Sequence, residues 1–150
     1  MTIFVQHAAA YQVELPPGSL AALQASLEAG LDWIEVDIIP LRGGDFALLH
    51  DPELSHSTES SGKVSEKTAA ELQDLQYLQK GSNPQKLHLG TLTQAIHLMK
   101  AKRSNGNLQL DLKPYAPLAP SILHNLLQIV HPVKEQILIS CVADWAIRYL

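Results

Sequence analysis

The sequence predicts an α/β fold, built from βα units that would lay their strands side by side in a parallel sheet. Three observations point there. Short β-rich runs recur at residues 2–6, 33–39, 46–49, 108–112 and 137–141, and segments of helical period separate most of them. The helical segments carry start and stop signals, as where Ser19 precedes Leu20, Leu23 and Leu27 and Gly30 follows them. Ionisable residues also gather on one face at the ends of consecutive strands.

Taken in order, residues 2–6 are the first strand, and Ser19 opens a helix that Gly30 stops. Trp33 to Ile39 is the second strand, Gly43 and Gly44 turn the chain, and Phe46 to Leu49 is the third. Pro52 to Glu66, rich in Ser, Thr and Glu, reads as a long loop. One helix is expected over about Thr68 to Gln79, ended near Gly81 and Pro84. Another runs from Thr91 to Lys102, closed by Ser104, Asn105 and Gly106. Leu108 to Leu112 is a strand, Ser121 to Val130 a helix and Ile137 to Cys141 the fifth strand. Asp144 is placed to cap one last helix. No repeat or linker divides the chain, so residues 1–150 are expected to form one domain.

Composition excludes several classes. With 46% hydrophobic and 17% charged residues in 150, the chain is globular rather than disordered or fibrous. A single cysteine cannot form an internal disulfide, which argues against a secreted disulfide scaffold, and Met1 to His7 lack the basic and apolar stretches of a signal peptide, so a reducing, cytoplasmic location is the default expectation. Eleven basic against fifteen acidic residues give a net charge of -4, with no Lys/Arg cluster for nucleic acid or an anionic membrane. The longest uncharged run, Pro114 to Val133, is broken by four prolines and by His124, Asn125 and His131, so membrane insertion is not expected.

The strand ends carry the chemistry. In 33–39, Ile34, Val36 and Ile38 share one face while Glu35 and Asp37 share the other. In 108–112, three leucines oppose Gln109 and Asp111, with Lys113 one pleat further on. His50 follows Phe46 and Leu48, and His7 follows Ile3 and Val5. Any one of these alone is more often a surface or hydrogen-bonded residue. Together they match a (β/α)8 barrel of the TIM type, whose catalytic groups come from the C-terminal ends of several strands. The remaining histidines, His56, His88, His97, His124 and His131, read as loop or helix residues. Three carboxylates offer hard oxygen donors that suit Mg²⁺ or Ca²⁺, and two imidazoles beside such a cation suit general acid–base work. Add a lysine, and the set fits hydrolysis of a phosphate ester.

At this point the chain resembles the glycerophosphodiester phosphodiesterase family along nearly its whole length. Ser19 to Gly30 followed by Trp33-Ile-Glu-Val-Asp37 resembles the family's first helix and Glu-x-Asp strand. Phe46 to Leu54 resembles its His-Asp motif, with Thr58 to Val64 as the polar loop after it and Thr91-Leu92 as the next helix start. Leu110-Asp-Leu-Lys113 resembles its Glu-x-Lys strand with Asp for Glu, and Ser140-Cys141 its Ser-Ser pair. The resemblance implies Glu35, Asp37 and Asp111 as ligands of a divalent cation, His7 and His50 as the acid–base pair, and Lys113 as a phosphate contact. It implies hydrolysis of small glycerophosphodiesters to glycerol 3-phosphate and an alcohol, and so a place in lipid and glycerol metabolism.

Three departures stand out. His7-Ala8-Ala9 replaces His-Arg-Gly, and Pro17-Gly18-Ser19 replaces Pro-Glu-Asn. A full barrel takes about 250 residues, so this chain is expected to hold only the first five βα units and to belong to a longer protein, with self-association through open barrel edges or poor solubility as the alternatives. A non-catalytic relative, acting by binding or regulation, is the main alternative. An unrelated α/β domain with structural strand ends is the third.

Overall fold

Four strands form one sheet in the computed structural model, which describes residues 3–78, 86–102, 105–114 and 117–141. They are β1 (Trp33–Pro40), β2 (Phe46–Leu48), β3 (Asn107–Leu112) and β4 (Ile137–Cys141), in the order β2-β1-β3-β4. The helices are α1 (Leu20–Glu28), α2 (Ala69–Gln73), α3 (Leu92–Lys102) and α4 (Pro120–Val130).

β1, β3 and β4 are parallel, with Glu35 level with Gln109, Asp37 with Asp111, and Asp111 with Ser140. Ile34, Val36 and Ile38 of β1 and Leu108, Leu110 and Leu112 of β3 pack in one core with Leu23 of α1, Leu92 and Met99 of α3 and Leu126 of α4. The three long helices thus cover one face, and the carboxylates emerge on the other. This register cannot slip by one residue without turning the leucines out and the carboxylates into the helix layer. A second, smaller core beyond the sheet joins Ile39, Leu41, Leu49, Leu54, Val64, Leu72, Tyr77 and Leu89.

Local signals behave as expected at α1. The Ser19 hydroxyl accepts from the Ala22 N–H at 3.1 Å, and Gly30 leaves the helix at φ +72, a conformation that costs glycine nothing. α4 begins at Pro120, one residue before the expected start, because proline suits the first helical position. Leu92–Lys102 and Ile137–Cys141 match their expected spans closely.

Four expectations need correction. Residues 3–6 do not form a strand: Gln6 alone bridges β1, through Gln6 N–H to Trp33 C=O at 2.9 Å and Glu35 N–H to Gln6 C=O at 2.8 Å. Ile3, Phe4 and Val5 stay exposed, so nothing packs on them to extend the pairing. Phe46–Leu48 is a strand but runs antiparallel to β1, because the connection 41–45 is far too short for a parallel crossover. The sheet is therefore mixed. The helix expected over Thr68 to Gln79 stops at Gln73, because residues 75–78 bond elsewhere: Tyr77 N–H to Leu87 C=O, Leu78 N–H to Ser57 C=O, and Leu89 N–H to Leu75 C=O. The polar loop Pro52 to Glu66 holds two 3₁₀ turns, Leu54–His56 and Val64–Glu66, each pinned by a buried apolar residue. Gln79, Gly81, Pro84, Ser104 and Asp144 lie outside the described residues.

Candidate active site

The parallel register builds the site. Asp37 and Asp111 stand side by side on β1 and β3, and Glu35 sits one pleat earlier on the same face. One carboxylate oxygen from each of Glu35, Asp37 and Asp111 lies within 4.8 Å of the others. Glu35 and Asp37 are only 5% and 6% exposed, so their charges are largely removed from water.

Lys113 answers part of this charge. Its ammonium lies 2.7 Å from Asp37 Oδ1 and 2.7 Å from Asp111 Oδ2. Burial works against the ammonium, but Asp111 and Asp37 outweigh it and hold its pKa above the ordinary lysine value. The contact with Asp111 is a hydrogen bond. The contact with buried Asp37 Oδ1 is a close ion pair. Glu35 Oε2 accepts from the Ala8 N–H at 2.7 Å. Burial pushes the Glu35 carboxyl up, Asp37 adds to that, and the Ala8 N–H and His7 oppose it. Three hard oxygen donors this close together, two of them on buried side chains, fit a divalent cation.

His7 joins this group: its Nε2 is 3.7 Å from Glu35 Oε2, while the ring is largely exposed. It sits in a tight turn, His7–Ala9, in which Ala8 and Ala9 adopt φ 52 and 48, the left-handed region. Gly18 N–H bonds back to the Ala8 C=O at 2.6 Å. That strained turn is what aims the Ala8 N–H at Glu35.

His50 pairs with Asp51. Its Nδ1 lies 3.3 Å from Asp51 Oδ1, and His56 Nδ1 lies 3.6 Å from the same oxygen. The antiparallel return explains its position: Leu48 is level with Ile38, so the chain beyond it heads back toward the level of Asp37. Sequence reasoning treated His50 as the end of a parallel strand, and the hairpin delivers it from the opposite direction. Ser140, Asp51, His56 and the Ala8 N–H were not read as site groups. Facing Asp111 across a parallel ladder could have flagged Ser140, whereas a backbone donor leaves no signal in residue types.

The fold and site define a class: an α/β protein in which carboxylates of the parallel strands β1 and β3 gather with a lysine just beyond β3. The sequence matches the glycerophosphoryl diester phosphodiesterase family over residues 10–148. The chain belongs to that family. The matched span contains Glu35, Asp37, His50, Asp111 and Lys113, and His7 precedes it. A glycerophosphodiester phosphodiesterase of Caldanaerobacter subterraneus is 24% identical over 137 residues, covering 89% of this chain and 56% of that protein. The chain thus spans about half the length of that curated relative. Among solved structures, an Oleispira antarctica phosphodiesterase in complex with the product sn-glycerol-3-phosphate superposes with TM-score 0.78 at 22% identity, over 99% of this chain and 60% of that one. The glycerophosphodiester phosphodiesterase of Agrobacterium tumefaciens gives TM-score 0.74 at 20% identity, over 96% and 59%.

Proposed function

We propose that the chain is the catalytic-site portion of a cation-dependent phosphodiester hydrolase that converts glycerophosphodiesters to glycerol 3-phosphate and an alcohol. The observation that carries it is the grouping of three carboxylate oxygens within 4.8 Å beside the Lys113 ammonium. Glu35, Asp37 and Asp111 would hold Mg²⁺ or Ca²⁺, which when bound would neutralise charge on the non-bridging phosphate oxygens. Lys113 would hold the phosphate from the other side. One of His7 and His50 accepts the proton of the attacking hydroxyl or water as the new P–O bond forms. The other gives a proton to the leaving alcohol oxygen as the old P–O bond breaks. Glu35, 3.7 Å from His7 Nε2, would orient the imidazole. Glycerol 3-phosphate as product is supported by its presence in the Oleispira antarctica relative.

Residues 1–150 act here as one domain, taken as about the first half of a barrel. Its location would be cytoplasmic, supported by the single cysteine. Its work would lie in lipid and glycerol metabolism. β4 pairs only with β3 among the described residues, and self-association through that edge is part of the proposal. A second reading, a non-catalytic relative, is favoured by Ala8 where the family motif has Arg.

The test is release of glycerol 3-phosphate from glycerophosphocholine by wild type and by His7→Ala and His50→Ala. Loss of about 10²–10⁴ in kcat in either variant, with folding kept, supports acid–base roles. Activity that survives both substitutions overturns them. Cation binding with no hydrolysis in the wild type supports the second reading.

A further inference from the structure

Beside the carboxylate cluster, a chain of hydrogen bonds crosses from β3 to β4. The Gln109 amide donates from Nε2 to Ser140 Oγ at 3.1 Å. The Ser140 hydroxyl lies 3.0 Å from Asp111 Oδ1 and 3.5 Å from the Leu110 C=O. A hydroxyl has one proton to give, and the shorter contact is to the carboxylate. With the amide filling its acceptor side, the hydroxyl is left to donate to Asp111. Asp111 is then gripped at both oxygens, by Ser140 at Oδ1 and by Lys113 at Oδ2.

We infer that Ser140 and Gln109 are positioning residues, which orient the Asp111 carboxylate and so set the affinity of the site for its divalent cation. This rests on the cation site proposed above. The register gives the reason: Asp37, Asp111 and Ser140 occupy one row across three parallel strands, so Ser140 is the only side chain β4 presents at Asp111's level. Glu35 is steadied by the Ala8 N–H and Asp37 is packed at 6% exposure. Asp111 is the least buried of the three and, among the described residues, has no backbone donor, so its plane depends on these side chains. Groups that hold a ligand carboxylate in this way change metal affinity by about 10–100-fold when removed.

The test is calorimetric titration of Mg²⁺ and of Ca²⁺ into chelator-treated wild type, Ser140→Ala, Ser140→Thr and Gln109→Leu. Ser140→Ala is expected to weaken cation binding by about 10–100-fold. Ser140→Thr keeps the hydroxyl and should restore it, and Gln109→Leu should lie between. A merely structural tie between β3 and β4 would lower the melting temperature without cation and leave the affinity alone. Wild-type affinity in Ser140→Ala overturns the inference. Should Ser140→Ala not fold, wild-type affinity in Gln109→Leu overturns it instead. A wild type that takes up neither cation removes the site itself, which is a separate failure.

Discussion

Ala8 and Ala9 hold the turn that presents the Ala8 N–H to Glu35, and both lie at positive φ, where an alanine is strained by about 1–2 kcal/mol. The family motif ends in glycine at the place of Ala9. Glycine there would relieve that strain but lose a buried methyl, about 0.8 kcal/mol, and add chain entropy of about 0.4–1 kcal/mol to the unfolded state. These nearly cancel. Ala9→Gly is therefore expected to fall within about 1 kcal/mol of neutral, while Ala22→Gly in the first turn of α1 loses about 1–2 kcal/mol from helix propensity and methyl burial together. Urea unfolding of the two variants checks this, and equal losses would mean that the turn is not strained. At this scale the sequence was most informative where side chains act: alternation alone put Glu35, Asp37, Asp111 and Lys113 on one face. It was silent where the backbone acts, since nothing in the letters His-Ala-Ala announces a left-handed turn or an N–H aimed at a carboxylate.

Among the elements, α2 carries the clearest titration. Its capping box has Thr68 Oγ1 accepting from the Glu71 N–H while Glu71 accepts from the Thr68 N–H and hydroxyl. With Arg42 3.1 Å away, these bonds hold the Glu71 carboxyl at about 2, below its ordinary 4.5. A depressed carboxylate stabilises the folded state above its unfolded value, and that contribution is lost as pH falls from about 4.5 toward 2. Glu71 is exposed, so the effect on stability is small and screened by salt. Carboxyl NMR titration should place the Glu71 midpoint near 2, and a midpoint at 4.5 would mean that the box is open. The capping signal was legible in Thr68 and Glu71, but the length of α2 was not. Helical period continues past Gln73, and only partners distant in the chain, Ser57 and Leu87, draw residues 77 and 78 out of the helix. The direction of β2 was a milder failure: Gly43 and Gly44 signalled a turn, and a turn that tight permits only the antiparallel return.

On the scale of the molecule, three helices cover one face of the sheet while its outer strand, β4, leaves Leu138 47% exposed beside an edge unpaired among the described residues. Such an edge pairs readily with another chain. Light scattering of the 150-residue chain is expected to show concentration-dependent association, and a monodisperse monomer at all concentrations would contradict it. The α/β class was legible from the alternation of strand and helix periods, whereas the near absence of a first strand was not. Ile3, Phe4 and Val5 have the right side chains for β structure and find no surface to pack on. Cation binding to the folded state alone should stabilise it by about 2.7 kcal/mol at 100-fold excess over Kd, raising Tm by several degrees. An unchanged Tm on adding and then chelating Mg²⁺ and Ca²⁺ would remove the metal assignment. The most direct test of the hydrolase assignment is glycerol 3-phosphate release from glycerophosphocholine, measured with Mg²⁺ or Ca²⁺, with chelator, and in Asp37→Asn. Release should require the cation and disappear in Asp37→Asn. No release with either cation, or release indifferent to chelator and to that substitution, would contradict a phosphodiesterase built on Glu35, Asp37 and Asp111.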